Sequence, residues 1–206
     1  MNTIGALDRL GRVRLSQNFW MREFLYSEVA NLHGLTNFPD DPDLAIAAGT
    51  RLCNELLEPL HRSFGKVLIR SAYRSCLVNG FCNEQQRAGK SGYGCSANES
   101  NYADHIWDRR DAMGNMGATA CIALPWFMDR HDPSDWRRLA WWIHDHLPYS
   151  SLFFFPRLAA FNIQWRENPE RWIQSYIAPK GYLTRPGMAN HAGLHGAEYE
   201  GFPALR

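Results

Sequence analysis

Apolar positions along the chain recur with two different periods. Phe19, Phe24, Val29 and Leu32 fit one face of a helix spanning 19–32, which Gly34-Leu35-Thr36-Asn37-Phe38-Pro39 stops. A second helix starts near Asp43, which follows Pro42 and supplies its cap. Its stripe of Leu44, Ala48, Leu52, Leu56 and Leu60 ends near Phe64-Gly65. The short β-branched segment from Lys66 to Ser71 predicts a strand. From Tyr73 to Gly117 the chain turns polar and glycine-rich. A structureless loop of that length is unusual in a small domain, so Leu77–Gln86 is read as helical. Ala118–Leu124 predicts a buried strand, and Asp132-Pro133-Ser134 opens a third helix with Trp136, Leu139 or Ala140, Ile143 and Leu147 on its buried side. Strands are expected at 152–155, 161–165 and 172–177, followed by an irregular tail over 180–206. Helices before and between apparently antiparallel strands make an α+β pattern.

Composition narrows the function classes. With 206 residues, 45% hydrophobic and 21% charged, the chain is sized for one domain, 1–206, and is not a disordered one. Lys and Arg total 22 against 21 Asp and Glu, which removes the electrostatic case for a nucleic-acid or anionic-membrane partner. No apolar run approaches the roughly 20 residues that span a bilayer. Residues 1–16 are polar, with four charged side chains and no apolar stretch of a signal peptide. The five cysteines, Cys53, Cys76, Cys82, Cys95 and Cys121, are irregularly spaced and odd in number, so reduced thiols are expected. The spacing of Cys76, Cys82 and Cys95 matches no zinc pattern.

Asn18-Phe19, Arg22-Glu23-Phe24, Ser27, Ala30, Gly34-Leu35-Thr36-Asn37, Leu57-Glu58-Pro59-Leu60, Phe64-Gly65 and Ser71-Ala72-Tyr73-Arg74-Ser75 occur in one order. This series resembles the M15 peptidases, the zinc D-Ala-D-Ala carboxypeptidases and phage endolysins. It is clearest from about residue 16 to residue 80 and fainter to residue 177. The resemblance implies a hedgehog/DD-peptidase fold, a small antiparallel sheet flanked by helices in a single domain. It also implies zinc chemistry on D-amino-acid-containing peptides such as peptidoglycan fragments. Zinc polarises the scissile carbonyl and lowers the pKa of its bound water, and a carboxylate takes the proton.

Carried over residue by residue, Arg74 is the expected stabiliser of the substrate carbonyl. Cys121 stands at the Asp ligand of the G-x-A-x-D-I segment, and Gln174 stands at the later His ligand. Strict spacing puts Gly114 at the first ligand, and the nearest histidine is His105. The base position falls near Phe155 or Ile163, with Glu167 the nearest carboxylate. Loss of a His, an Asp and a Glu together argues against ordinary M15 catalysis. A rebuilt zinc site would use His105 and Cys121, with Asp108, Asp111 or His191 as a further ligand and Asp108 or Asp111 alternatively as base. Alternatively, Cys121 is a small buried residue in a strand and His105 bonds within its loop. His144 and His146 sit two apart on a helix and are read as solvated. His191 and His195 are candidates to fold over His105. Most aromatics between Trp126 and Trp172 are read as core.

Two functional classes result. One is a zinc-dependent peptidase of altered metal site; the other is a catalytically inactive module that binds a peptide, glycan or protein partner. A groove shared by Cys121, Gln174 and Arg74, with the first two on neighbouring strands, is expected in either case. Localisation is expected to be cytoplasmic in the absence of a signal peptide, or that of a phage lysin released by other means.

Overall fold

A computed structural model describes residues 3–206. The chain opens with α1 (Ile4–Gly11), a helix the sequence reading missed; Thr3 caps it by accepting a hydrogen bond from Ala6 N. The helix expected over 19–32 is two, α2 (Met21–Phe24) and α3 (Glu28–His33). The carbonyls that would carry the first helix onward are taken by other segments. Phe24 O accepts from Tyr73 N at 3.1 Å, and Leu25 O accepts from Asn37 Nδ2 at 3.0 Å. Ser27 then caps a new start, accepting from Ala30 N. Phe19 and Phe24 are buried as expected, whereas Leu32 is 77% exposed.

The second helix is α4 (Pro42–Leu52), capped by Asp41 rather than Asp43. It widens into a π-turn over Cys53–Leu57 before continuing as α5 (Glu58–Phe64). Pro59 lies just beyond the widened turn; its ring would clash with a carbonyl four residues back in a regular helix, and the wider turn relieves this. Gly49 on α4 meets the Trp107 ring so closely that a Cβ there would lie 2.8 Å from Cζ3. α6 (Cys76–Arg87) matches the helix expected inside the polar stretch, with Ser75 as its cap. A short α7 (Pro125–Met128) precedes α8 (Trp136–His146).

Six strands form one sheet: β1 (Leu68–Ser71), β2 (Gly117–Ala123), β3 (Ser151–Phe154), β4 (Phe161–Arg166), β5 (Trp172–Ser175) and β6 (Gly181–Thr184), in the spatial order β1-β2-β4-β3-β5-β6. β6 lies in the tail expected to be irregular. All pairings are antiparallel except β3 with β5. The β3–β4 hairpin places β4 against β2, so the returning chain finds its free edge on the far side of β3 and lies parallel to it. The fold is α+β.

One sheet face carries Ala118, Ala120, Ile122, Leu152, Phe154, Phe161, Ile163, Trp165 and Ile173 into the main core with α4, α5 and α8. The tail is packed over these helices. Phe202 sits within 6.4 Å, ring to ring, of Phe64, Trp126 and Phe127, and Trp142 Nε1 donates to Pro203 O at 2.8 Å. Cys82 and Cys95 form a disulfide, correcting the expectation of reduced thiols: the loop after α6 folds back on the helix and brings them together. Among the described residues, no helix is long and apolar enough to cross a membrane.

Candidate functional site

Strand register places Cys121 opposite Asn162, Asn162 opposite Phe153, and Phe153 opposite Gln174. Directly paired residues share a face, so these four form a row across the side of the sheet that does not face the main core. Cys121 packs there with Ala123 and Ala160 in a small cluster flanked by Leu68 and Phe155.

Two loops close over the Cys121 end of the row. The chain leaving β1 is braced by Asn37, whose Nδ2 donates to Tyr73 O at 3.0 Å while its Oδ1 accepts from Ser75 N at 2.7 Å. The family-like segments Leu35-Thr36-Asn37 and Tyr73-Arg74-Ser75 are thus locked together. The 101–109 loop lies against β2, where a side chain at Gly117 would run into the Ala103 carbonyl. Ala103 itself adopts φ 55°, a left-handed conformation costly for a residue with a Cβ. Arg74 N donates to His105 O at 2.9 Å and ties the two loops.

His105 is buried. Its Nδ1 lies 2.8 Å from Ala72 O, and a carbonyl can only accept, so Nδ1 carries the proton. Nε2 is left with a lone pair facing Asn162 Nδ2 at 3.4 Å. Burial and then the Arg74 charge push the imidazole down to about 4, so it is neutral at pH 7. The Cys121 thiol is pushed up by burial, a rise that the Arg70 and Arg74 charges oppose without cancelling. It is therefore protonated at neutral pH, a weak ligand and a weak nucleophile. Arg74 NH1 contacts Cys95 Sγ at 2.7 Å, and its buried Nε has no hydrogen-bond partner.

Arg74, His105 and Cys121 thus lie around the same end of the row, whereas the proposed companions lie elsewhere or are occupied. Both Asp108 oxygens are engaged, Oδ2 by Asp40 N at 2.7 Å and Oδ1 by the Tyr73 hydroxyl at 3.1 Å. Asp111 accepts from Met113 N and Asn115 N in its own turn. His191 lies against α8, with His144 Nε2 bonded to its carbonyl, and not over His105. Glu167 accepts from Met116 N beyond the end of β4. Gln174 shares the sheet face, but β4 and β3 separate it from Cys121, so the two are not on neighbouring strands.

The residue missed was Asn162. The alternation Phe161-Asn162-Ile163-Gln164-Trp165 signals it, because three large apolar residues claim the core and leave Asn162 on the other face. Further along this face Phe153 lies 4.6 Å from Tyr176 and 5.3 Å from Phe155, ring to ring, and Tyr176 is 57% exposed. Not every aromatic here is core.

A catalytic zinc needs three protein ligands and a water. His105 and Cys121 offer two, one of them a protonated thiol, and the adjacent third group is an amide. This donor set does not fit zinc. A cavity of about 650 Å³ between α1 and α3, lined by Leu7, Arg22, Leu25 and Phe38, includes none of these groups. No known protein family, curated protein or solved structure matches this chain.

Proposed function

We propose that the protein is a binding module on a hedgehog/DD-peptidase-like frame, descended from M15-type peptidases and no longer hydrolysing peptides. Its ligand class is a short peptide of the peptidoglycan type, held by a carbonyl or carboxylate oxygen. The observation that carries this reading is the company of Cys121 and His105: an amide, Asn162, stands beside them. Arg74, with a buried Nε that lacks a partner, supplies a donor for the ligand oxygen. The aromatic cluster of Phe153, Phe155 and Tyr176 offers apolar contact farther along the same face. The ordered motif series of residues 16–80 supports the peptidase-like ancestry.

Calorimetric titration with a peptide ending in D-Ala-D-Ala tests this. Binding is expected for the full chain, with affinity reduced more than tenfold in Arg74→Gln, about the worth of a charge-assisted hydrogen bond. Equal affinity of the variant and the parent would remove the role given to Arg74. The Cys82–Cys95 disulfide supports an oxidising location, where such a bond persists, over the reducing cytoplasm.

One contact favours a second reading, a zinc peptidase of altered ligands. A histidine ligand normally donates its other ring N–H to a backbone carbonyl, as His105 does to Ala72.

A further inference from the structure

At the C-terminal end of α8 the tail returns and inserts His195 beside the helix. One donor atom each from His144, Asp145 and His195 lies within 4.8 Å of the others. The Asp145 side chain is wholly buried and that of His195 is 13% exposed. The His195 ring lies flat on Trp141, with centroids 3.9 Å apart and planes within 9°. Its position is therefore fixed.

The hydrogen bonds set the protonation of both rings. His144 Nε2 faces His191 O at 3.0 Å, and His195 Nε2 faces Asn190 O at 3.0 Å. Carbonyls only accept, so both Nε2 atoms carry protons and Nδ1 is the remaining nitrogen on each ring. This is the outer-shell arrangement that orients metal-binding histidines. His195 Nδ1 lies 2.8 Å from Asp145 Oδ1. A lone pair and a carboxylate so close require a positive centre between them, either a proton or a metal ion. Asp145 Oδ2 is meanwhile held by His195 N at 2.6 Å and by the Tyr199 hydroxyl at 2.9 Å.

We propose that His144, Asp145 and His195 form a binding site for a divalent transition metal of the zinc class, which staples the tail to α8. Two imidazoles and a carboxylate are a common zinc donor set, and water completes the fourth position. The ion takes the place of the proton at His195 Nδ1, which leaves to solvent, and His144 gives up one of its present partners to bind it, the Tyr149 hydroxyl at Nδ1 (2.7 Å) or the His191 carbonyl at Nε2 (3.0 Å). The opposing charge is Arg171, whose guanidinium is spread over the carbonyls of His144 and Leu147. The site shares no residue with the Cys121 groove and stands whether or not that groove binds peptide.

The test is a zinc chloride titration of the full chain after chelator treatment. One zinc per chain is expected, bound more tightly as pH rises from 6 to 8. His195→Ala should weaken it by more than the ~100-fold that is the most loss of an outer-shell partner commonly costs. Cys121→Ser should leave it unchanged. Imidazole NMR signals of His144 and His195 should shift on zinc addition to the unaltered protein, a readout that needs no variant. No zinc binding would overturn the proposal and assign the bridge to a proton alone. Binding lost in Cys121→Ser but kept in His195→Ala would overturn it by placing the metal in the groove.

Discussion

Glu58 shows what single residues of the motif series do. Its carboxylate accepts from Ser16 Oγ at 2.7 Å, Asn18 N at 2.7 Å and Asn18 Nδ2 at 2.8 Å. Burial raises its pKa, but these bonds outweigh burial and hold it below the usual carboxylate range. The Asn18 and Leu57-Glu58-Pro59-Leu60 segments are therefore two halves of one contact, as are the Asn37 and Arg74 segments. The family resemblance, carried over residue by residue, brought out Arg74, His105 and Cys121. It could not exclude Asp108, because Asp40 N and the Tyr73 hydroxyl, which occupy it, come from distant segments. Asn162 was equally hidden, since only the β2–β4 register sets it opposite Cys121. His105 gives a residue-scale prediction. Its folded pKa of about 4 is below the ordinary histidine value of 6.5, so the unfolded chain binds the extra proton first. Stability from this group is complete above about pH 6.5 and is lost as pH falls toward 4. Urea unfolding at pH 7 and pH 5 should show the unaltered protein losing about 2 kcal/mol more than His105→Gln. Equal losses would mean that His105 is not held neutral.

Hydrophobic periodicity located the middles of most elements and misplaced their junctions. The break between α2 and α3 arises because Tyr73 and Asn37 capture the carbonyls of Phe24 and Leu25, which no local pattern records. The strand pattern implies an antiparallel set, yet the parallel contact of β5 with β3 follows from which sheet edge remained free. α6 and the loop behind it are joined by the disulfide across a separation of 13 residues, and Arg74 rests on Cys95 Sγ. The bond thus serves both the element and the groove. Replacing Cys82 and Cys95 with serine should cost about 3 kcal/mol, the loop-closure value for a loop of this size. Denaturant titration measures it, and peptide affinity should fall with it as Arg74 loses its rest. A variant with unchanged stability and affinity would show that neither depends on the bond.

At the scale of the molecule, the sheet divides two kinds of work. Its core face joins α4, α5 and α8 in one apolar cluster, over which the tail is strapped through Phe202 and His195. Its other face carries Cys121, Asn162, Phe153 and Gln174 in register, roofed by the loops of Arg74 and His105. The α+β class was legible because alternating and helical patterns are local. The tail's β6 and its clasp on α8 were not, because Gly, Pro and His in a polar stretch carry no periodic signal and act through distant partners. The proposed function is that of a peptidase-like groove without metal chemistry that holds a ligand oxygen. The most direct measurement is incubation of the full chain with a peptide ending in D-Ala-D-Ala, with and without added zinc, followed by mass spectrometry of the products. Intact peptide is expected in both cases, since general-base assistance is worth ~10²–10⁴-fold and Asp108, Asp111 and Glu167, the carboxylates expected to give it, are all held by other groups. Release of D-alanine that depends on zinc and stops with a chelator, and that is abolished by His105→Ala or Cys121→Ser, would contradict it.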